Sequence, residues 1–102
     1  MPRFMIESSH ASETPSEPMS MACVRAIDAA AAQGSHYLTR VQFGCEDGVH
    51  KSWIFIDAED EEGARRMVPP VGRETAVIVR VRQYTPDQLR SVHYNTPMRE
   101  RG

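Results

Sequence analysis

The stretch HYLTRVQFGCEDGVHKSWIFIDA, residues 36–58, decides the fold because it predicts two strands joined by a tight turn. Its first arm, residues 36–45, alternates between two sets of side chains, and its second arm, residues 50–58, is rich in apolar and aromatic residues. The residues from Glu46 to Val49 separate the arms, which is a common loop length for a β-hairpin. We therefore predict the second and third strands of an antiparallel sheet here.

The segments on either side of this hairpin predict two more strands and three helices. RFMIES near the N-terminus and ETAVIVRVRQY are apolar and β-branched, which is typical of strands. SMACVRAIDAAAAQG has apolar residues at helical spacing before Gly34, and DAEDEEGARRMVPP runs from acidic to basic, the charge order that a helix dipole favours. TPDQLRSVH opens with a capping-box pattern at Thr85 and Gln88, which predicts a last short helix before a polar tail.

The order of the main elements is β-α-β-β-α-β, the split βαβ motif of ferredoxin-like α+β domains, for which we expect an antiparallel sheet in the order 4-1-3-2. We expect a single domain over residues 1–102, with a core over 3–84 and a C-terminal helix and tail over 85–102. The sheet face under the helices is predicted to carry Phe4, Ile6, Val41, Phe43, Ile54, Ile56, Val77, Val79 and Val81. The other face is predicted to carry Met5, Leu38, Trp53, Phe55 and Ile78. Because no element is left to cover this second face, a homodimer through it is expected.

At this point the chain resembles the dimeric α+β-barrel superfamily, in which two ferredoxin-like protomers pack sheet against sheet. The resemblance covers roughly residues 3–90 and follows from the order and lengths of the elements. Its small members include muconolactone-isomerase-like enzymes, cofactor-independent monooxygenases and small bacterial nickel-binding proteins. The resemblance therefore implies a dimer, but it assigns no catalytic residue by position.

Composition excludes some classes of function. With 12 basic and 14 acidic residues the formal charge is −2, so the chain has no cationic excess to attract nucleic acid or an anionic membrane. No apolar run approaches the roughly 20 residues that a membrane span needs, and the N-terminus lacks the apolar region and cleavage site of a signal peptide. We therefore expect a cytoplasmic protein whose two cysteines, Cys23 and Cys45, are reduced.

The predicted topology brings four candidate metal ligands to one end of the domain. The third strand runs antiparallel to the first, so its start lies beside the end of the first strand, and the hairpin turn and the start of the first helix lie at the same edge. The four residues are His10, Cys23, Cys45 and His50, whereas His36 is expected at the opposite end. Strand parity directs His10, Cys45 and His50 toward the helix side. We therefore predict a metal site of two thiols and two imidazoles.

The sequence does not determine which metal such a site would bind. Two cysteines and two histidines suit a tetrahedral zinc site, and thiolate with imidazole is also compatible with copper or nickel. Met19 and Met21 would favour Cu(I) if their thioethers joined the site, although filling gaps at the start of the helix is the commoner role for such side chains. Each cysteine taken alone is most often a small buried apolar residue. The convergence of four candidate ligands is what favours a metal-binding protein for sensing, storage or delivery.

Two other functions stay open. A cofactor-independent isomerase or monooxygenase would hold a small hydrophobic metabolite between helices and sheet, with His10 or His50 as general base, Glu7 or Asp47 orienting it, or Cys45 as nucleophile. A non-catalytic dimeric interaction module needs no site at all. Whether the site binds a metal ion or a substrate, the loop from Ala11 to Pro18 is a candidate cover for it.

Overall fold

The computed structural model describes residues 1–95 and shows an α+β fold with one four-stranded antiparallel sheet. The strands are β1 (Arg3–Ser9), β2 (Gln42–Phe43), β3 (Lys51–Asp57) and β4 (Val77–Val81). Their spatial order is β2-β3-β1-β4, which confirms the predicted order 4-1-3-2. The predicted polar tail after α4, residues 96–102, lies outside the described residues.

Four helices connect and follow these strands, namely α1 (Met19–Ala32), α2 (Ser35–Leu38), α3 (Glu61–Arg66) and α4 (Pro86–Asn95). The predicted charge order of α3 is present, and the carboxylate of Asp60 caps it by accepting a 2.8 Å hydrogen bond from the Gly63 N–H. The predicted capping box of α4 is also present. The Thr85 N–H donates to the side chain of Gln88 at 2.9 Å, and the Gln88 N–H donates to the Thr85 hydroxyl at 3.2 Å.

The first arm of the predicted hairpin is largely wrong, because α2 occupies its beginning and β2 is only two residues long. Gly34 has φ 114°, and the chain beyond it closes a helical turn through a 3.0 Å bond from the Leu38 N–H to the Gly34 carbonyl. Thr39 adds a side-chain bond of 2.7 Å to the Ser35 carbonyl. Leu38 consequently lies on α2 and not on the open sheet face.

Register fixes which side chains lie under the helices. Ile6 of β1 is directly opposite Ile54 of β3 and Ile78 of β4, so all three share the helix-covered face. The prediction for β4 was therefore inverted: Ile78 faces the helices, and its neighbours Val77 and Val79 face the other way, as does Val81. One alternating set of β4 is all valine, and the other holds Ile78 with the charged Arg80, so composition favours the wrong face and only the pairing with β1 gives the right one.

The core lies between the sheet and α1 to α3. Its buried apolar residues are Phe4, Ile6, Ala22, Ala30, Tyr37, Ile54, Ile56, Ala58, Ala64, Val68 and Ala76. On the opposite side of the sheet Phe55 keeps 55% of its surface exposed, in line with the predicted open face. No helix within residues 1–95 has both the length and the apolar character needed to cross a membrane.

Candidate metal centre

Four different parts of the fold meet at one end of the sheet. His10 follows β1, Cys23 lies in the second turn of α1, Cys45 opens a 3₁₀ turn after β2, and His50 immediately precedes β3. We call these four residues the thiol–imidazole cluster. The antiparallel pairing of β1 and β3 continues past the strands, since the His10 N–H donates to the His50 carbonyl at 3.2 Å. The structure thus brings together the four residues that the sequence singled out.

The turn between β2 and β3 sets the spacing of Cys45 and His50. Residues Cys45–Asp47 form a 3₁₀ turn, and Gly48 ends it in the left-handed region at φ 81°, which glycine adopts without steric cost. The Gly48 N–H donates to the Cys45 carbonyl at 3.0 Å, which holds the turn closed. The chain then reverses within the few residues that separate the thiol from the imidazole.

Each thiol of the cluster contacts one imidazole. The Cys45 sulfur is 3.1 Å from Nε2 of His10, and the Cys23 sulfur is 3.3 Å from Nδ1 of His50. Which partner donates in each contact follows from the tautomer of the ring. The two imidazoles stand edge to face, with centroids 5.7 Å apart and planes inclined by 76°. Two thiol–imidazole pairs therefore pack side by side.

Burial favours the uncharged forms of two cluster members. It lowers the pKa of His10, and the neighbouring His50 lowers that pKa further. Burial also raises the pKa of Cys45, an effect that a hydrogen bond and the charge of the adjacent Cys23 strengthen. A neutral imidazole is the form that coordinates a metal, whereas a protonated thiol must lose its proton to do so. If a cation bound here, His10 would coordinate it in its neutral form and Cys45 would have to lose its proton.

The spacing of the donor atoms is close to that of a tetrahedral site. One nitrogen or sulfur from each residue of the cluster lies within 4.8 Å of all the others. With metal–nitrogen bonds of about 2.0 Å and metal–sulfur bonds of about 2.3 Å, tetrahedral donors are roughly 3.3–3.8 Å apart. The thiol–imidazole contacts are already that short, so closure requires the longer separations to contract by about 1 Å. Rotation of the side chains would have to supply this movement for all four donors to bind one ion.

Several other residues considered from sequence are exposed or lie on the other face of the sheet. His36 is exposed on α2, and Met19 and Met21 are 36% and 52% exposed at the start of α1. Glu7 lies on the open face of the sheet, where its carboxylate accepts a 3.1 Å hydrogen bond from the Trp53 indole and lies 3.6 Å from the Lys51 ammonium. The expectation that Glu7 orients a catalytic histidine is therefore wrong, because its carboxylate is turned to the other side.

Hydrogen bonds and ion pairs join the loop from Ala11 to Pro18 to α1. The Arg25 guanidinium makes two hydrogen bonds to the Glu17 carboxylate, at 2.7 and 2.9 Å, and lies 3.3 Å from the Glu13 carboxylate. It also donates to the Ala11 carbonyl at 3.3 Å. These contacts lower the pKa of Glu17 to about 2, chiefly through the Arg25 hydrogen bond. One arginine thus sets the position of the whole loop.

The sequence interpretation missed three hydroxyl side chains beneath α1. Ser8 and Ser52 are cross-strand partners on the helix-covered face, and Tyr37 is 2% exposed beside them. A signal was present, because both serines occupy positions where the alternation of β1 and β3 calls for apolar residues. Polar residues at core-facing positions are worth singling out, since an unpaired buried hydroxyl destabilises a fold.

Comparison of the chain with protein-family models, with curated proteins and with solved structures finds no match. The function is therefore inferred from the chemistry of the four side chains of the cluster.

Proposed function

We propose that the protein binds one transition-metal ion in the thiol–imidazole cluster and serves in the sensing, storage or delivery of that metal. The observation that supports this proposal is the approach of two thiols and two imidazoles within 4.8 Å of one another. Such a donor set is the one that tetrahedral zinc prefers, and copper or nickel also accept thiolate with imidazole. The four donors come from separate parts of the chain. Their proximity therefore depends on the tertiary fold, whereas two neighbours in a hairpin are brought together by the turn alone.

The position of the cluster favours exchange of the ion over permanent burial. All four residues are half-buried at one end of the sheet, so none of them is sealed in the core. A bound ion would join the end of β1, the start of α1 and the β2–β3 turn. Because the unfolded chain does not hold these donors together, metal binding should stabilise the fold in proportion to its affinity.

We further propose that the protein is a homodimer in a reducing, cytoplasmic compartment. Both cysteines are free thiols, which such a compartment maintains. The open sheet face carries Met5, Trp53, Phe55, Val77, Val79 and Val81, all of which remain at least partly exposed within residues 1–95. A second copy of the chain brings an equal apolar face and would remove both from water.

A cobalt titration of reduced protein, purified without a histidine tag, tests the metal site. Wild type should bind one equivalent of Co²⁺ and show the thiolate charge-transfer and intense ligand-field absorption of a tetrahedral site. Elemental analysis of the protein as purified identifies the natural metal. Cys45→Ser and His50→Ala each remove one donor and should weaken binding by orders of magnitude, because water replaces the lost ligand.

His36→Ala is the matched control, since this histidine is exposed on α2 and outside the cluster. It should bind cobalt as wild type does, with the same spectrum. Circular dichroism of the metal-free variants checks that they remain folded. The proposal is wrong if wild type binds no cobalt under reducing conditions, or if Cys45→Ser and His50→Ala bind it as tightly as His36→Ala does.

A further inference from the structure

A cavity of about 200 Å³ lies between α1 and the sheet, next to the thiol–imidazole cluster. It exists because α1 presents alanines to the sheet at this point, among them Ala22, Ala26 and Ala29. Side chains this small leave space that leucine or isoleucine would fill. His10 lines the cavity as well as belonging to the cluster, so one imidazole is shared by the two sites.

The floor of this cavity carries hydroxyl groups that the protein does not satisfy. Ser8, Ser52 and Tyr37 all line it. The Ser8 hydroxyl is buried with no hydrogen-bond partner in the described chain, and no side-chain hydrogen bond of Ser52 or Tyr37 is found within residues 1–95. Buried hydroxyls almost always have partners, so the buried Ser8 hydroxyl, together with the unpaired and still accessible hydroxyls of Ser52 and Tyr37 in the same cavity, indicates a polar partner from outside the chain.

The charges at the cavity limit what that partner can be. Arg25 lines the cavity, but its guanidinium is already paired with Glu17 at 2.7 Å and Glu13 at 3.3 Å. No free cation is thus present among the described lining residues to neutralise a carboxylate or phosphate. Moving an ionised group from water into such surroundings is unfavourable. Glu13, the acidic residue among the described lining residues, is likewise taken up by Arg25, so no free anion is present there for a cationic ligand either, and the partner is uncharged.

Size restricts the partner further. A sealed aliphatic cavity of about 150 Å³ accommodates benzene. A volume of about 200 Å³ thus fits a single ring with one or two small substituents, or an aliphatic chain of similar bulk. The apolar walls favour the hydrocarbon part, and the hydroxyl-bearing floor favours one oxygen group.

We propose that this cavity is a binding site for a small uncharged organic molecule that carries a hydroxyl or carbonyl group. Its oxygen meets the hydroxyls of Ser8, Ser52 and Tyr37, and its hydrocarbon part lies along the alanines of α1. Rotation of each serine side chain between staggered positions lets the hydroxyl turn to the ligand. The site itself does not require a metal, whereas its linkage to a bound ion through His10 rests on the function proposed above.

Phenol and toluene are matched probes, because they differ by one hydrogen-bonding group. A ligand-observed NMR titration of reduced, metal-free protein should show phenol binding more tightly than toluene, with benzoate, which is charged, not binding. Ser52→Ala and Ser8→Ala should weaken phenol by roughly three- to tenfold and leave toluene unchanged. Ser20→Ala, an exposed serine on α1, should behave as wild type for both probes.

Ala29→Leu supplies the second test, because its added side chain occupies the cavity and should displace phenol and toluene alike. The inference is overturned if phenol and toluene bind equally, or if neither serine variant nor Ala29→Leu changes phenol affinity. One equivalent of zinc should change phenol affinity, and phenol should change zinc affinity by the same factor. If bound zinc leaves the phenol affinity unchanged, only the linkage through His10 is overturned. If zinc does not bind at all, the metal site is contradicted, whereas the result for the cavity stands.

Discussion

Single side chains set the properties of this molecule at two places. One is the thiol–imidazole cluster. The other is the set of contacts from Arg25 to Glu17, Glu13 and the Ala11 carbonyl, which we call the Arg25 clamp. In the cluster, burial lowers the pKa of His10 and raises the pKa of Cys45, which favours the uncharged form of each. At the clamp, Arg25 does the opposite and holds Glu17 in its charged form. The thiol–imidazole cluster can accept a cation, whereas the Arg25 clamp already contains one, the guanidinium itself.

The Arg25 clamp predicts how the loop responds to acid. The pKa of Glu17 is lowered to about 2 in the fold, against about 4.3 in an unfolded chain. The stabilisation from this pair is therefore complete above about pH 4.3 and is lost as the pH falls toward 2. NMR titration of the Glu17 carboxyl should give a midpoint near 2, and Arg25→Gln should move it up toward the ordinary value.

Arg90→Gln is the control for this titration, since Arg90 pairs with Asp87 on α4 and makes no contact with the loop. It should leave the Glu17 midpoint where it is in wild type. A wild-type Glu17 that titrates at the ordinary value would show that the bidentate contact to Arg25 does not persist in solution.

At the scale of elements, local signals predicted most of the fold. The apolar composition of β1 and β3, the capping box of α4 and the charge order of α3 each act within a few residues, and each led to the correct element. The start of the hairpin failed because a nonlocal contact decides it: Tyr37 is buried at 2% exposure, and α2 turns the chain to place it there. The face of β4 was also predicted wrongly, because the charged Arg80 shares a side with Ile78 and makes the three valines look like the core-facing set, whereas the pairing with β1 places Ile78 under the helices.

The candidate site was easier to predict than β2, because it depends on where strands begin and end more than on their length. Antiparallel pairing of β1 with β3 places His10 beside His50 whether β2 has two residues or ten. The cavity was harder, because its volume depends on how closely α1 approaches the sheet. No pattern in the sequence measures that distance.

The conformation of Gly34 gives a prediction for α2. Its φ of 114° and ψ of 163° lie in a region that is essentially restricted to glycine. Gly34→Ala should therefore lower the free energy of unfolding by about 1–3 kcal/mol. Gly72→Ala is the control, since its φ is not positive and an added methyl group would meet nothing within 4 Å. Chemical denaturation of both variants checks this, and equal stabilities would contradict the assigned turn.

At the scale of the whole molecule, two apolar surfaces have no partner within residues 1–95. One is the open sheet face, on which Phe55 is 55% exposed. The other lies on α4, whose residues 86–94 are all exposed and which carries Leu89 and Val92 one turn apart. A monomer would keep both in water, whereas a second copy of the chain can cover them.

Phe55→Arg tests the proposed dimer, because it places a charge in the middle of the face that would be buried. It should cost several kcal/mol of association free energy and give a monomer by light scattering at micromolar concentration. Val71→Arg is the matched control, since Val71 is 78% exposed on a turn away from that face and should leave the mass unchanged. A monomeric mass for wild type would refute the dimer.

X-ray absorption spectroscopy of the reduced, zinc-loaded protein tests the central claim most directly, because it counts the sulfur and nitrogen atoms bound to the ion. The thiol–imidazole cluster predicts two sulfurs at about 2.3 Å and two nitrogens at about 2.0–2.1 Å. Cys45→Ser should reduce the sulfur count by one. A zinc shell of oxygen and nitrogen alone, unchanged in Cys45→Ser, would contradict the cluster as the metal site.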